Sequence, residues 1–232
     1  MGLDLYAKIE PYLDFDEEVY NLHNEFMSHV MEKELDNILD IGCGQGYFLQ
    51  NLALNNKKAF GIDLSQSQID FCKEKGIENT SCLALEDVKE KYDCATAIFD
   101  VINYIPKNEL KKFFMDTSKV LNDNAYFIFD VNSLFGFDEV AQGCITIDRK
   151  DKFIAIDAIY EDRKLITSLT LFSKDENGKY QKEKDKITQY YHDKKSLTEL
   201  LKKAGFEVEE IKEFNLHGFD EADKLIYICR KI

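Results

Sequence analysis

No apolar run in the 232 residues approaches the roughly 18 that a membrane-crossing helix requires, which excludes a helical membrane protein. The opening Met1-Gly2-Leu3-Asp4-Leu5-Tyr6 has neither a basic region nor an apolar signal core. Tyr6 stands where an acylation signal on Gly2 would want Ser or Thr. A soluble, cytoplasmic protein is therefore expected. The six cysteines (43, 72, 82, 94, 144 and 229) include no C-x-x-C pair, so neither a disulfide framework nor a zinc site is expected; Cys82, Cys94 and Cys229 sit in strand-like runs and read as small buried hydrophobes. Histidine is equally sparse: His23 and His29 are six apart on a helical pattern, where metal ligands stand three or four apart, so no metal is expected. There are two prolines, no internal repeats, and no stretch of Lys and Arg free of interleaved acids. Nucleic-acid affinity rests largely on phosphate neutralisation, and a formal net charge of −14 weighs against a nucleic-acid partner.

What is present is enough apolar content, 44 %, for a chain of this length to build a substantial core. Val19, Leu22, Phe26 and Val30 recur at helical spacing, predicting a helix that packs on a sheet or serves as a lid. Short apolar runs ending at Ile41, Asp63, Leu85, Phe99 and Asp130 alternate with helical patterns. Ser65 caps one helix, and Leu110, Phe113, Phe114, Thr117, Val120 and Leu121 form the buried face of another. This alternation predicts an α/β fold with a parallel, doubly wound sheet. From Ile145 to His192 the period changes to two. Turns at Glu161-Asp162-Arg163-Lys164 and Asp175-Glu176-Asn177-Gly178 divide that stretch into three antiparallel strands. A helix stopped by Gly205 and the strand Leu225 to Cys229 follow.

The chemistry is concentrated in Leu39-Asp40-Ile41-Gly42-Cys43-Gly44-Gln45-Gly46-Tyr47-Phe48, with Asp63 ending a second strand seventeen residues after Gly46. Three glycines after a buried strand let the chain turn sharply and bring backbone against a ligand. An acid at the end of the next strand can accept hydrogen bonds from both hydroxyls of a ribose. A dinucleotide fingerprint would place a third close-packing glycine at position 47, which is Tyr.

This pattern resembles motif I of the class I S-adenosylmethionine-dependent methyltransferases. Phe99-Asp100-Val101-Ile102-Asn103-Tyr104-Ile105, Phe127-Ile128-Phe129-Asp130-Val131-Asn132-Ser133, Ala204-Gly205-Phe206 and Tyr227-Ile228-Cys229-Arg230-Lys231 are similar to a bacterial small-molecule-type subgroup with an antiparallel insertion after strand five. The resemblance implies a Rossmann-like, seven-stranded sheet with an antiparallel last strand. It also implies a division into an N-terminal helical lid (1–35), a cofactor-binding domain (36–142 and 193–232) and an antiparallel β insertion acting as a substrate lid (143–192). S-adenosylmethionine would be the cofactor, bound by Asp40, Gly42, Cys43, Gly44, Gly46, Asp63, Leu64, Ala84, Leu85 and Phe99. Where the family usually has an acid for the adenine amino group this chain has Leu83, so Glu86 or Asp87 from a shifted loop, or backbone and apolar contacts, would take that part.

No Asn/Asp-Pro-Pro-Tyr and no Pro-Cys pair follows strand four, which turns the reading away from base, glutamine or cytosine C5 methylation. Methyl transfer to N or O of a small-molecule acceptor is expected. Tyr104 and His192 are the candidate catalytic groups, His192 because imidazole moves protons near neutral pH. Asp130 and Asn132 would face the same pocket, or Asp130 would cap the following turn. A binder of the cofactor that transfers nothing, and an RNA methyltransferase, are the alternatives. Nothing in the sequence sets the oligomeric state.

Overall fold

In the computed structural model, which describes residues 2–232, Ile38, Leu39 and Ile41 are buried in a short strand, β1 (Asn37–Ile41). β1 is flanked on one side by β2 (Lys58–Asp63) and then β3 (Thr80–Cys82), and on the other by β4 (Tyr92–Ala97) and then β5 (Leu121–Asn132), all parallel. The chain thus reverses its winding between β1 and β4, and in such sheets ligands bind in the crevice beyond the carboxyl ends of the strands at that switch. Helices α3 (Tyr47–Leu54), α4 (Gln66–Glu74) and α5 (Leu110–Lys119) cross between strands, with Ser65 accepting the Gln68 N–H as the cap of α4.

A sheet buried on both faces needs apolar residues on both, and the two cores match that demand. One face gathers Phe114, Phe127, Phe129, Phe206 and Tyr227; the other gathers Leu22, Phe26, Phe48 and Ile128. Helix α2 (Asp16–Glu32) supplies Leu22 and Phe26, so its apolar stripe packs on the sheet, ahead of which α1 (Leu3–Ile9) lies elsewhere. None of the described helices is long and apolar enough to cross a membrane.

After β5 the chain builds a separate four-stranded antiparallel sheet, β6 (Gly143–Arg149), β7 (Lys152–Glu161), β8 (Lys164–Lys174) and β9 (Tyr180–Tyr190). The expected turn at Glu161–Lys164 is present, with Asp162 and Arg163 both at positive φ as a two-residue hairpin requires. The insertion has four strands where three were expected, because β6 pairs along the edge of β7. α1 packs against this sheet through Leu5 and Ile9, in one cluster with Ile154, Leu169, Leu171 and Ile187. Helix α6 (Lys194–Lys203) then returns the chain to the main sheet, where β10 (Phe206–Phe214) and β11 (Lys224–Lys231) complete it. Only β11 runs against the rest, so its first residue, Lys224, sits at the edge where the parallel strands end.

Two expectations need correction. The third strand stops at Cys82 instead of reaching Leu85, because Leu83, Ala84 and Leu85 leave the sheet and line a cavity. Cys82, at that strand end, is exposed and is not a core residue.

Candidate active site

The turn after β1 is held by its neighbour strand, the Gly42 and Cys43 N–H groups donating to the Ile62 carbonyl at 2.8 and 3.0 Å. Gly42 has φ +74, and a Cβ there would stand 2.7 Å from Val101, so only glycine fits. At Gly44, φ +52, a Cβ would meet nothing closer than Gln68 Nε2 at 4.0 Å, so the space above this residue is free for a ligand. Asp63 closes the loop from the side: its carboxylate accepts the Gly44 N–H at 3.0 Å and the Ser65 N–H at 2.8 Å. Burial raises the Asp63 carboxyl above its ordinary value, against the pull of these backbone donors.

Below the loop, Asp40 accepts the Thr96 hydroxyl proton at 2.7 Å and is almost wholly buried. Burial pushes its carboxyl up to about 7, against the Thr96 bond and with help from the Asp63 charge. A cation bound beside it would favour its ionised form.

These residues line one end of a cavity of about 1200 Å³. Gly42, Cys43, Gly44, Asp40, Asp63, Leu64, Ala84, Leu85 and Phe99 all reach it; Gly46 does not, and instead begins α3. Leu83 and Glu86 also line it, Glu86 being held by Lys112. The far end is formed by the insertion sheet through Ile156, Thr167, Leu169 and Gln189, and by Tyr104 and Asn132. Burial, Asp100 and Glu10 push the Tyr104 phenol well above its usual range, so it is neutral and donates or accepts hydrogen bonds without acting as a base.

His192 is not brought to the cavity. Its ring is buried and Nε2 meets the Ile105 carbonyl at 3.1 Å, fastening the turn that carries Tyr104. The imidazole that the sequence offers for proton transfer is instead turned inward where the chain enters α6. Asn103 fastens the same turn from within, donating to the Tyr190 carbonyl at 2.9 Å and accepting the Asn132 N–H at 3.0 Å.

Asp130 lies behind the wall, wholly buried. It accepts the N–H groups of Phe99 and Asp100 at 2.7 and 3.2 Å, and both of those residues have positive φ, a conformation uncommon for residues other than glycine. Lys224 donates to Asp130, Asp100 and Asn132 together. Burial would push its ammonium down, but the two carboxylates hold it well above the usual range. Next to it, Asp223 holds His217. No local spacing in the sequence marks these residues, because they reach the ligand edge only through the reversed direction of β11.

An N-terminal strap covers the loop. Asp4 accepts the Ser65 hydroxyl proton at 2.5 Å, and Glu10 accepts from Gln45 at 3.1 Å and from Gln68 at 2.9 Å. Burial pushes the Glu10 carboxyl up, against the two amides.

The family described as "Methyltransferase domain" matches residues 16–211, most of the chain. A Geobacillus sp. (strain WCH70) protein whose name calls it a methyltransferase without stating a substrate is 25 % identical over 185 residues, 75 % of each chain. Among solved structures, a methyltransferase from Clostridium acetobutylicum ATCC 824, described as S-adenosylmethionine-dependent, superposes with a TM-score of 0.78 at 21 % identity, covering 98 % of this chain and 96 % of its own. KedS8 from Streptoalloteichus sp. ATCC 53650, described as a sugar N-methyltransferase, does so at 0.73 and 15 % identity, covering 97 % and 91 %. At these identities the superpositions speak for the fold, and the family match for descent; the chain is a member of the methyltransferase domain family.

Proposed function

We propose that the protein transfers a methyl group from S-adenosylmethionine to an N or O atom of a small molecule bound in the cavity. The observation that carries this reading is that one continuous cavity joins the glycine loop and Asp63 to the apolar face of the insertion sheet, leaving room for cofactor and acceptor together.

The residues present fit the cofactor. Gly42 and Gly44 leave the backbone open beside a thioether chain, Asp63 matches a ribose diol, Asp40 matches an ammonium, and Leu83, Ala84 and Leu85 offer an apolar slot for a base. When bound, the cofactor supplies a methyl carbon activated by an adjacent sulfonium. The chain's own part is to align the acceptor, exclude water and receive a proton. Tyr104, neutral at the cavity wall, orients the acceptor by hydrogen bonding. The insertion sheet and α1, packed on each other through Ile9 and Leu169, form the apolar wall of the acceptor end. The sugar N-methyltransferase named among the structural neighbours is compatible with such an acceptor.

The test is transfer of label from methyl-tritiated S-adenosylmethionine into a small-molecule extract of bacterial cells filtered free of protein and RNA. Label in the low-mass fraction supports the reading. Label only in added RNA or protein, or none at all by protein that binds the cofactor, overturns it.

A further inference from the structure

Any N–H or O–H acceptor must lose a proton when it is methylated, and several groups lining the cavity are unfit to take it. Tyr104 is neutral. His23 is buried against Phe48 and Phe99, and burial holds its imidazole down to about 4. Asp100 is paired with Lys224, Glu10 with two amides, and Asp40 with Thr96. His217 is different. Its Nδ1 is hydrogen-bonded to Asp223 Oδ2, no partner among the described residues engages Nε2, and its side chain is 34 % exposed where it lines the cavity.

Asp223 is built to hold that ring. It is buried, its second oxygen accepts the Leu216 N–H at 2.7 Å, and its main-chain carbonyl accepts the Ser133 N–H at 2.9 Å. Burial would push its carboxyl up, but the His217 bond and the Leu216 N–H keep it below the usual carboxylate range. An ionised carboxylate on Nδ1 fixes the proton there and leaves the lone pair on Nε2. The loop 215–223 reaches the site because β11 is antiparallel and starts at the ligand edge.

We propose that His217 is the proton acceptor for the methylated acceptor, with Asp223 as the residue that positions it. This rests on the methyl-transfer reading. The acceptor heteroatom bonds to the methyl carbon, the carbon–sulfur bond breaks with its electron pair left on sulfur, and the displaced N–H or O–H proton passes to Nε2. The positive charge that leaves sulfur ends on the imidazolium, which the Asp223 carboxylate stabilises.

The test uses full-length wild type, His217→Ala, His217→Gln and Asp223→Asn in the tritium assay with the low-mass cell extract, beside calorimetric binding of S-adenosylhomocysteine and thermal melts. In His217→Ala the transfer rate falls about a hundredfold or more, the usual scale of general-base catalysis, while S-adenosylhomocysteine binds as in wild type. Added imidazole restores part of the rate to His217→Ala and none to Asp223→Asn. Independently of any variant's folding, diethylpyrocarbonate modifies His217 in preference to the buried His23, His29 and His192, and wild-type transfer falls in step with that modification. An undiminished rate in folded His217→Ala or His217→Gln, loss without imidazole rescue, or transfer that survives full modification of His217 overturns the proposal. Wild type that binds S-adenosylhomocysteine and transfers nothing overturns the methyl-transfer reading, and this inference with it; wild-type transfer indifferent to His217 overturns this inference alone.

Discussion

Lys224 Nζ lies 2.9 Å from Asp130 Oδ2; Asp130 is wholly buried and Lys224 nearly so, at the cavity wall. The same ammonium also pairs with Asp100 and bonds Asn132, so one cation ties the start of β11 to the ends of β4 and β5. Removing one partner of a buried ion pair leaves an unmatched charge, at a cost of about 3–5 kcal/mol. Lys224→Met is therefore expected to lower the unfolding free energy measured in urea by an amount of that order. Lys224→Met combined with Asp130→Asn should recover part of it. A Lys224→Met protein as stable as wild type would show that the pair does not anchor the wall.

Asp40 sets a pH dependence. Its carboxyl is raised to about 7 by burial, against the Thr96 bond. A raised carboxyl favours the folded ligand-free state most below its unfolded value near 3.9, and that contribution is lost as pH rises through about 7. Binding a cationic cofactor needs the ionised form, so S-adenosylmethionine affinity should rise between pH 5.5 and 7.5, by at most about tenfold per unit. Calorimetry across that range checks this, and Asp40→Asn should flatten the profile. A wild-type profile already flat would remove Asp40 from the ammonium contact.

The N-terminal strap is bonded to the glycine loop and the start of α4 through Asp4 and Glu10. Hydrogen bonds involving a charged group contribute about 1.5–3 kcal/mol. Glu10→Ala is expected to weaken S-adenosylhomocysteine binding about tenfold and to speed amide exchange in α1. Unchanged affinity and exchange would make the strap a mere neighbour of the site.

His192→Phe should behave as a stability variant. It removes the bond to the Ile105 carbonyl, and a buried acceptor left unpaired costs about 1–3 kcal/mol. The melting temperature should fall while cofactor affinity is kept. A loss of transfer in fully folded protein with no loss of stability would return His192 to the chemistry.

Much of this was legible locally. The glycine loop, Asp63 and the Ser65 cap are encoded within a few residues each, as are the apolar faces of α2 and α5. The hairpin at Asp162-Arg163 is equally local. Leu83 to Leu85 misled because apolar residues lining a ligand cavity look like strand core. β6 escaped notice because an exposed edge strand buries little of its alternating pattern. His217, Asp223 and Lys224 were missed for a topological reason. Their place at the site depends on the reversed direction of β11, which no local spacing records.

Calorimetric titration of S-adenosylhomocysteine into wild type and Asp63→Ala tests the proposed cofactor site most directly, since Asp63 makes the loop contact to Gly44 and is the carboxylate proposed for the ribose diol. Saturable one-site binding by wild type, weakened at least about tenfold in a folded Asp63→Ala protein, is the expected result for a charged hydrogen-bond acceptor. Absence of binding by folded wild type, or equal binding by both, would contradict a cofactor held between the glycine loop and Asp63.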